Sequence, residues 1–156
     1  MRIIKYTVEL DDNKQSILVK EDAKNCTFLN KLDSPENIVD MLNYIFKAKY
    51  KSEEHLWLIA LDAKCNPIGV FEVSHGTANS SLSSPREVFV RLCLVGAVNF
   101  VLAHNHPSGD TTPSKDDIEV TSQMKRCGNM MNIRLLDHII IGNNYYSFKM
   151  DGMLSV

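Results

Sequence analysis

Residues 100–117 read FVLAHNHPSGDTTPSKDD, an apolar run that passes into a polar, turn-rich loop and then into the first turn of a helix. Phe100 to His104 predicts a short strand. Ser114, followed three residues later by Asp117, resembles a capping box, and the helix it opens is expected to end near Gly128, read as a C′ glycine. Strand, loop and helix in this order are a unit of α/β architecture. Alternate side chains of an extended backbone share a face, so His104 and His106 point the same way. Asp117 comes eleven residues after His106, and the intervening loop can fold it back toward both imidazoles.

The flanking sequence agrees with an α/β reading. Residues 2–10 and 16–20 predict a β-hairpin across DDNKQ. Ser34-Pro35 starts a helix whose apolar positions Ile38, Met41, Leu42, Ile45 and Phe46 recur at helical spacing, to about Tyr50. Residues 54–62 and 67–74 predict a second hairpin, followed by a Gly/Ser/Thr/Asn-rich loop over 76–84. The segment 85–98 reads as a helix apolar on most faces, expected to lie buried between layers. Residues 133–141 predict a strand, and Gly142-Asn143-Asn144 turns the chain into YYSF. The expected fold is α/β, a single-domain mixed β-sheet flanked by helices. Its parts are an N-terminal hairpin plus helix over 1–50, belonging to or packed on a main domain over 51–156.

Composition narrows the function classes. The chain has 156 residues, 44% hydrophobic and 23% charged, with only 7 Gly and 5 Pro, which excludes disordered and collagen-like chains. A net charge of −2 argues against a general grip on nucleic acid. Cys26, Cys65, Cys93 and Cys127 stand singly, with no C-x-x-C pair, and read as free buried thiols of a reducing compartment. The N-terminus turns polar after about ten residues, unlike a signal peptide. No apolar run approaches the ~18 residues of a membrane span. A soluble, cytoplasmic protein is expected.

Two neutral imidazoles and one carboxylate, with a fourth position left to water, make the shell of a catalytic zinc ion. The same residues have local explanations. A lone H-x-H is often a surface feature, and Asp at the third helical position is favoured by the helix dipole. Asp110 and Asp116 are further candidate carboxylates. Spacing alone therefore leaves metal ligation and helix capping both open for Asp117. Other zinc patterns are absent: H-E-x-x-H does not occur, and no cysteine pair completes a nucleobase deaminase motif. The letters HNH at 104–106 lack the separated ββα-metal arrangement of a nuclease.

The pattern H-x-H-x₇-S-x₂-D, met by His104, His106, Ser114 and Asp117, resembles the JAMM signature of the MPN metalloprotease fold. The wider string resembles the RadC family: GT at 76–77, PREVF at 85–89, HNHPSGD at 104–110, PSKDD at 113–117, LLDHIIIG at 135–142 and SF at 147–148. The likeness covers roughly residues 54–152. It implies an MPN (JAMM) fold, similar to cytidine-deaminase-like architecture, holding one Zn²⁺ per chain on His104, His106 and Asp117. It also implies Glu54, eight residues before Asp62 on a strand, as the catalytic glutamate, and Ser114 as a hydrogen-bond donor to the oxyanion. Longer RadC-like proteins carry a helix-hairpin-helix region before this domain. Residues 1–50 read instead as a strand pair and a helix, so a short form lacking that region is expected.

The implied activity is zinc-dependent hydrolysis of a peptide, isopeptide or related amide bond in a protein or peptide substrate. Two alternatives belong to other classes, a non-catalytic MPN interaction module and a RadC-like accessory factor in DNA repair or processing. Strong nucleic-acid binding and membrane attachment are not expected. Strand alternation sets Glu54 on the face opposite His55 and Trp57, giving His55 a packing or surface role and Trp57 a core one. His75 in SHGT sits at a strand end and could approach a substrate, although loop histidines usually have no special role. Asp137-His138 reads as a buried hydrogen-bonded pair rather than a second metal site.

Overall fold

The computed structural model describes residues 1–76 and 84–154. In chain order the elements are β1 (Arg2–Leu10), β2 (Ser16–Asn25), α1 (Pro35–Phe46), β3 (Glu54–Leu61), β4 (Pro67–Gly76), α2 (Pro85–Val95), β5 (Asn99–Asn105), α3 (Lys115–Met131), β6 (Arg134–Ile141) and β7 (Tyr145–Ser147). The strands form one seven-stranded mixed sheet in the order β2-β1-β4-β3-β5-β6-β7. β1 runs parallel to β4 and β5 parallel to β6, while the other neighbours are antiparallel. Both expected hairpins are present. This is the single mixed α/β domain expected, consistent with the MPN (JAMM) fold that the resemblance implies. Most of the loop read over 76–84 lies outside the described residues.

Each face of the sheet has its own apolar layer, and the sequence alternation assigns side chains to one or the other. Trp57, Ile59 and Leu61 of β3 pack with Val101 and Ala103 of β5 against Ile38, Met41, Leu42 and Phe46 of α1. On the other face, Leu56, Leu58 and Ala60 join Phe100 and Leu102 under Val88, Phe89 and Leu92 of α2 and Val120 and Met124 of α3. Central strands covered on both sides read as nearly continuous apolar runs, and Leu56 to Leu61 are all buried. Each such Leu or Ile contributes about 1.5–3 kcal/mol by leaving water.

Several boundaries differ from the sequence reading for local physical reasons. β2 continues past Lys20 to Asn25 through polar EDAKN, because one side of this edge strand faces solvent and needs no apolar alternation. α1 stops at Phe46, where Lys47 adopts a left-handed conformation (φ 54°), and a short 3-10 turn carries Ala48–Tyr50. α2 buries only Val88, Phe89 and Leu92, and Leu94 and Val98 face outward, so it caps one face rather than lying between layers. α3 runs through Gly128 and ends at Met131, with Asn132 supplying the left-handed cap (φ 55°). Gly128 serves packing instead, since a Cβ there would stand 2.4 Å from the Ile133 carbonyl oxygen. Of the four cysteines, all free, only Cys26 is fully buried.

Candidate metal centre

Adjacent strands and one helix start build the site. Leu56 of β3 pairs with His104 of β5, which in turn pairs with Ile140 of β6. His104 therefore leaves the centre of the sheet on the α3 side, fully buried at 0% exposure. His106 follows the last residue of β5, and its backbone N–H donates to the Ile141 carbonyl at 2.9 Å. The loop beyond it is anchored by a close glycine contact. Gly109 has φ +83°, and a Cβ on Gly142 would meet the Gly109 carbonyl oxygen at 2.4 Å, so that position has no room for a side chain. The Asn143 N–H donates to the Gly109 carbonyl at 2.9 Å, which seats the loop on the end of β6.

The capping box at the start of α3 forms in full. The Asp117 N–H donates to Ser114 Oγ at 3.1 Å, and the Ser114 N–H donates to Asp117 Oδ2 at 2.7 Å. Capping and convergence use the same carboxylate. His104 Nε2 stands 3.1 Å from Asp117 Oδ1, His106 Nε2 stands 3.4 Å from Asp117 Oδ2, and the two Nε2 atoms are 3.1 Å apart. Tetrahedral ligands at about 2.0–2.1 Å from a zinc ion are about 3.3 Å from one another. The three groups thus already have the mutual spacing of one coordination shell, and among the described residues this is the cluster whose ligand atoms converge.

Hydrogen bonding orients the His106 ring. Its Nδ1 lies 2.7 Å from the Asp110 carbonyl, which only accepts, so Nδ1 carries the proton and Nε2 turns its lone pair toward Asp117. Burial alone would raise the Asp117 carboxyl. The close His104 and His106 imidazoles, with the attraction of His104 and the Ser114 bond, instead hold it far below the ordinary carboxylate range. His106 is raised, chiefly by the hydrogen bond its protonated form makes to Asp117 and against its burial. The two shifts are complementary: Asp117 is held ionised, and its negative charge favours the protonated form of His106 beside it. Asp110 sends its backbone carbonyl to His106 and its carboxylate to Thr112, while Asp116 is exposed.

Glu54 opens β3 two residues before Leu56, on the same face as the two histidines, and is half-buried. Its charge acts on His106. Glu53 points elsewhere, exposed, with Oε2 3.3 Å from His75 Nδ1. His55 faces the opposite side, bonded to Glu72 at 2.6 Å and stacked on Trp57 with ring centres 5.6 Å apart. His75 stacks on His55 at 5.4 Å and so belongs to that side.

Two features escape the sequence reading. Asn105, between the two histidines, points to the far face, accepting from the His55 N–H at 2.8 Å and donating to the Glu53 carbonyl at 2.9 Å. Its amide thus pins the backbone on both sides of Glu54. Asn105→Ala should lower stability by about 1–3 kcal/mol, read by urea unfolding, because it leaves those backbone groups without this partner. The second feature is how the Asp137-His138 pair bonds: both residues are buried and hydrogen-bonded as expected, but through the His138 backbone N–H. Asp137 receives the Ser147 hydroxyl at 2.6 Å and the backbone N–H groups of His138 and Lys149. The His138 side chain turns away to His104 Nδ1 at 2.9 Å and Thr121 Oγ1 at 2.6 Å. Complete burial, aided by the nearby His104, pushes the His138 imidazole well below its ordinary pKa.

A mixed α/β domain with a His-His-Asp centre at the meeting of a central strand and a helix start defines a protein of the JAB/MPN class. The family model for the RadC-like JAB domain matches residues 32–153, and the chain belongs to that family. It is 43% identical over 124 residues to a UPF0758 protein of Clostridium novyi, covering 79% of this chain and 54% of that one. A UPF0758 protein of Caldanaerobacter subterraneus subsp. tengcongensis is 38% identical over 125 residues, covering 74% of this chain and 53% of its own length. The chain spans about half the length of these curated relatives. No helix among the described residues is long and apolar enough to cross a membrane.

Proposed function

We propose that this chain is a zinc-dependent hydrolase of a peptide, isopeptide or related amide bond, acting on a protein or peptide. The observation that carries this reading is the spacing of His104, His106 and Asp117, 3.1–3.4 Å between facing ligand atoms, with a carboxylate on the same face. His104 Nε2, His106 Nε2 and an Asp117 oxygen would hold one Zn²⁺. When bound, the ion supplies Lewis acidity that lowers the pKa of a water toward ~7.

Glu54 takes the proton of the attacking water and returns it to the leaving amine, a task suited to a half-buried carboxylate on the ligands' face. Ser114 reconciles its two expected roles. Capping Asp117 uses an oxygen lone pair, so the hydroxyl hydrogen stays available to donate to the oxyanion of the substrate carbonyl. Duplex nucleic acid does not suit the site, because a chain of net charge −2 offers little to release phosphate counterions.

Metal analysis by plasma emission on protein purified without chelator should return about one zinc per chain. A library of amide-linked fluorogenic peptides should then show cleavage that a chelator abolishes and added zinc restores. Metal-replete protein that cleaves none of the peptide, isopeptide and related amide reporters would overturn the hydrolase reading in favour of a binding module.

A further inference from the structure

Behind His104 runs a buried chain of hydrogen bonds that closes back on Asp117. Thr121 Oγ1 lies 2.6 Å from the Asp117 backbone carbonyl and 2.6 Å from His138 Nδ1, and His138 Nε2 lies 2.9 Å from His104 Nδ1. Thr121, His138 and His104 are all at most 3% exposed, so proton order here is set by the partners themselves. A carbonyl oxygen only accepts, so the single Thr121 hydroxyl hydrogen points at Asp117. The Thr121 oxygen then accepts, which places the proton of neutral His138 on Nδ1. His138 Nε2 is left as an acceptor, and His104 must fill it with an Nδ1 proton. His104 Nε2 therefore carries a lone pair, directed at the point where His106 and Asp117 converge.

We propose that Thr121, acting through His138, is a positioning residue that fixes the tautomer of His104 and keeps its Nε2 open for a metal ion. The competing tautomer would put a proton on Nε2 and donate it to Asp117 Oδ1, only 3.1 Å away, closing the site with a hydrogen bond. Without the Thr121 hydroxyl, His138 is free to move its own proton to Nε2 and drive His104 into that closed form. A second imidazole thus does at this ligand what a backbone carbonyl does at His106. This proposal rests on the metal-centre reading, but the proton positions can be tested separately.

The experiment uses the full chain as wild type, Thr121→Val and Thr121→Ser. Long-range ¹H–¹⁵N spectra of the metal-free wild type should show His104 and His138 protonated at Nδ1. In Thr121→Val, of nearly the same shape, both protons should shift to Nε2. Zinc affinity, read by competition with a chromogenic chelator, should fall about 10–100-fold. Thr121→Ser, which keeps the hydroxyl, should restore both readouts. A wild-type His104 protonated at Nε2, or unchanged ring spectra or zinc affinity in Thr121→Val, overturns the proposal. The wild-type spectra decide it even if Thr121→Val fails to fold. Failure of the wild type to bind zinc would sink the metal assignment, and the ring spectra would still decide the proton order.

Discussion

Glu54→Gln should leave the zinc content of the chain intact while turnover of an amide substrate falls by roughly 10²–10⁴, the range of lost general acid–base catalysis. The substitution keeps the shape of the side chain at the start of β3 and removes only its ability to take a proton. Glu54 lies outside the converging His104, His106 and Asp117 cluster, so metal occupancy has no reason to change. Glu53→Gln serves as the control. Its side chain is about half exposed and faces His75, so activity should stay close to wild type. Full activity in Glu54→Gln, or an equal loss in both variants, would sink the assignment of the base.

Loss of metal is the second large effect. His104→Ala, His106→Ala and Asp117→Ala should each strip most of the zinc, read by plasma emission after dialysis, because two remaining protein ligands hold the ion poorly. Asp117 allows a finer separation, since its carboxylate is also the third residue of the α3 capping box. Asp117→Ala should lose metal and, in addition, about 0.5–2 kcal/mol of stability. Asp117→Asn keeps an oxygen to accept from the Ser114 N–H, so it should lose metal with a smaller stability cost. Asp110→Ala should retain zinc, because Asp110 reaches His106 through its backbone carbonyl, which the substitution leaves in place. Equal zinc loss in Asp110→Ala would mean that the wrong carboxylate has been assigned.

What can be read from the chain depends on whether the signal is local. The two hairpins, α1 and the strand–loop–helix unit around His104 announce themselves through alternation, turn residues and Ser-Pro or Ser-x-x-Asp starts. The far half of β2 is silent because residues 21–25 carry no apolar face, and an edge strand needs none. Gly128 carries a true signal with a different cause: it admits the Ile133 carbonyl rather than ending the helix. In the segment read as one helix over 85–98, Leu94 and Val98 overstate how much is covered, and Val98 lies beyond the end of α2. His104, His106 and Asp117 are within reach of spacing and resemblance. Thr121 is not, because it meets His138 seventeen positions away on a different element. Asn105 is hidden by its neighbours, since nothing in H-N-H tells that the middle side chain clamps a strand start fifty residues away.

The shared use of Asp117 has a consequence for how a ligand would be welcomed. A carboxylate on a mobile side chain must surrender rotational freedom each time it captures an ion, which weakens binding. Here the first turn of α3 holds that carboxylate through the Ser114 N–H as part of ordinary helix formation. Folding has frozen the group before any ion arrives, so an incoming cation meets a preorganised receptor. By the reciprocity of linked equilibria, whatever occupies the centre should also tighten the start of α3, joining ligand capture to the rigidity of that helix.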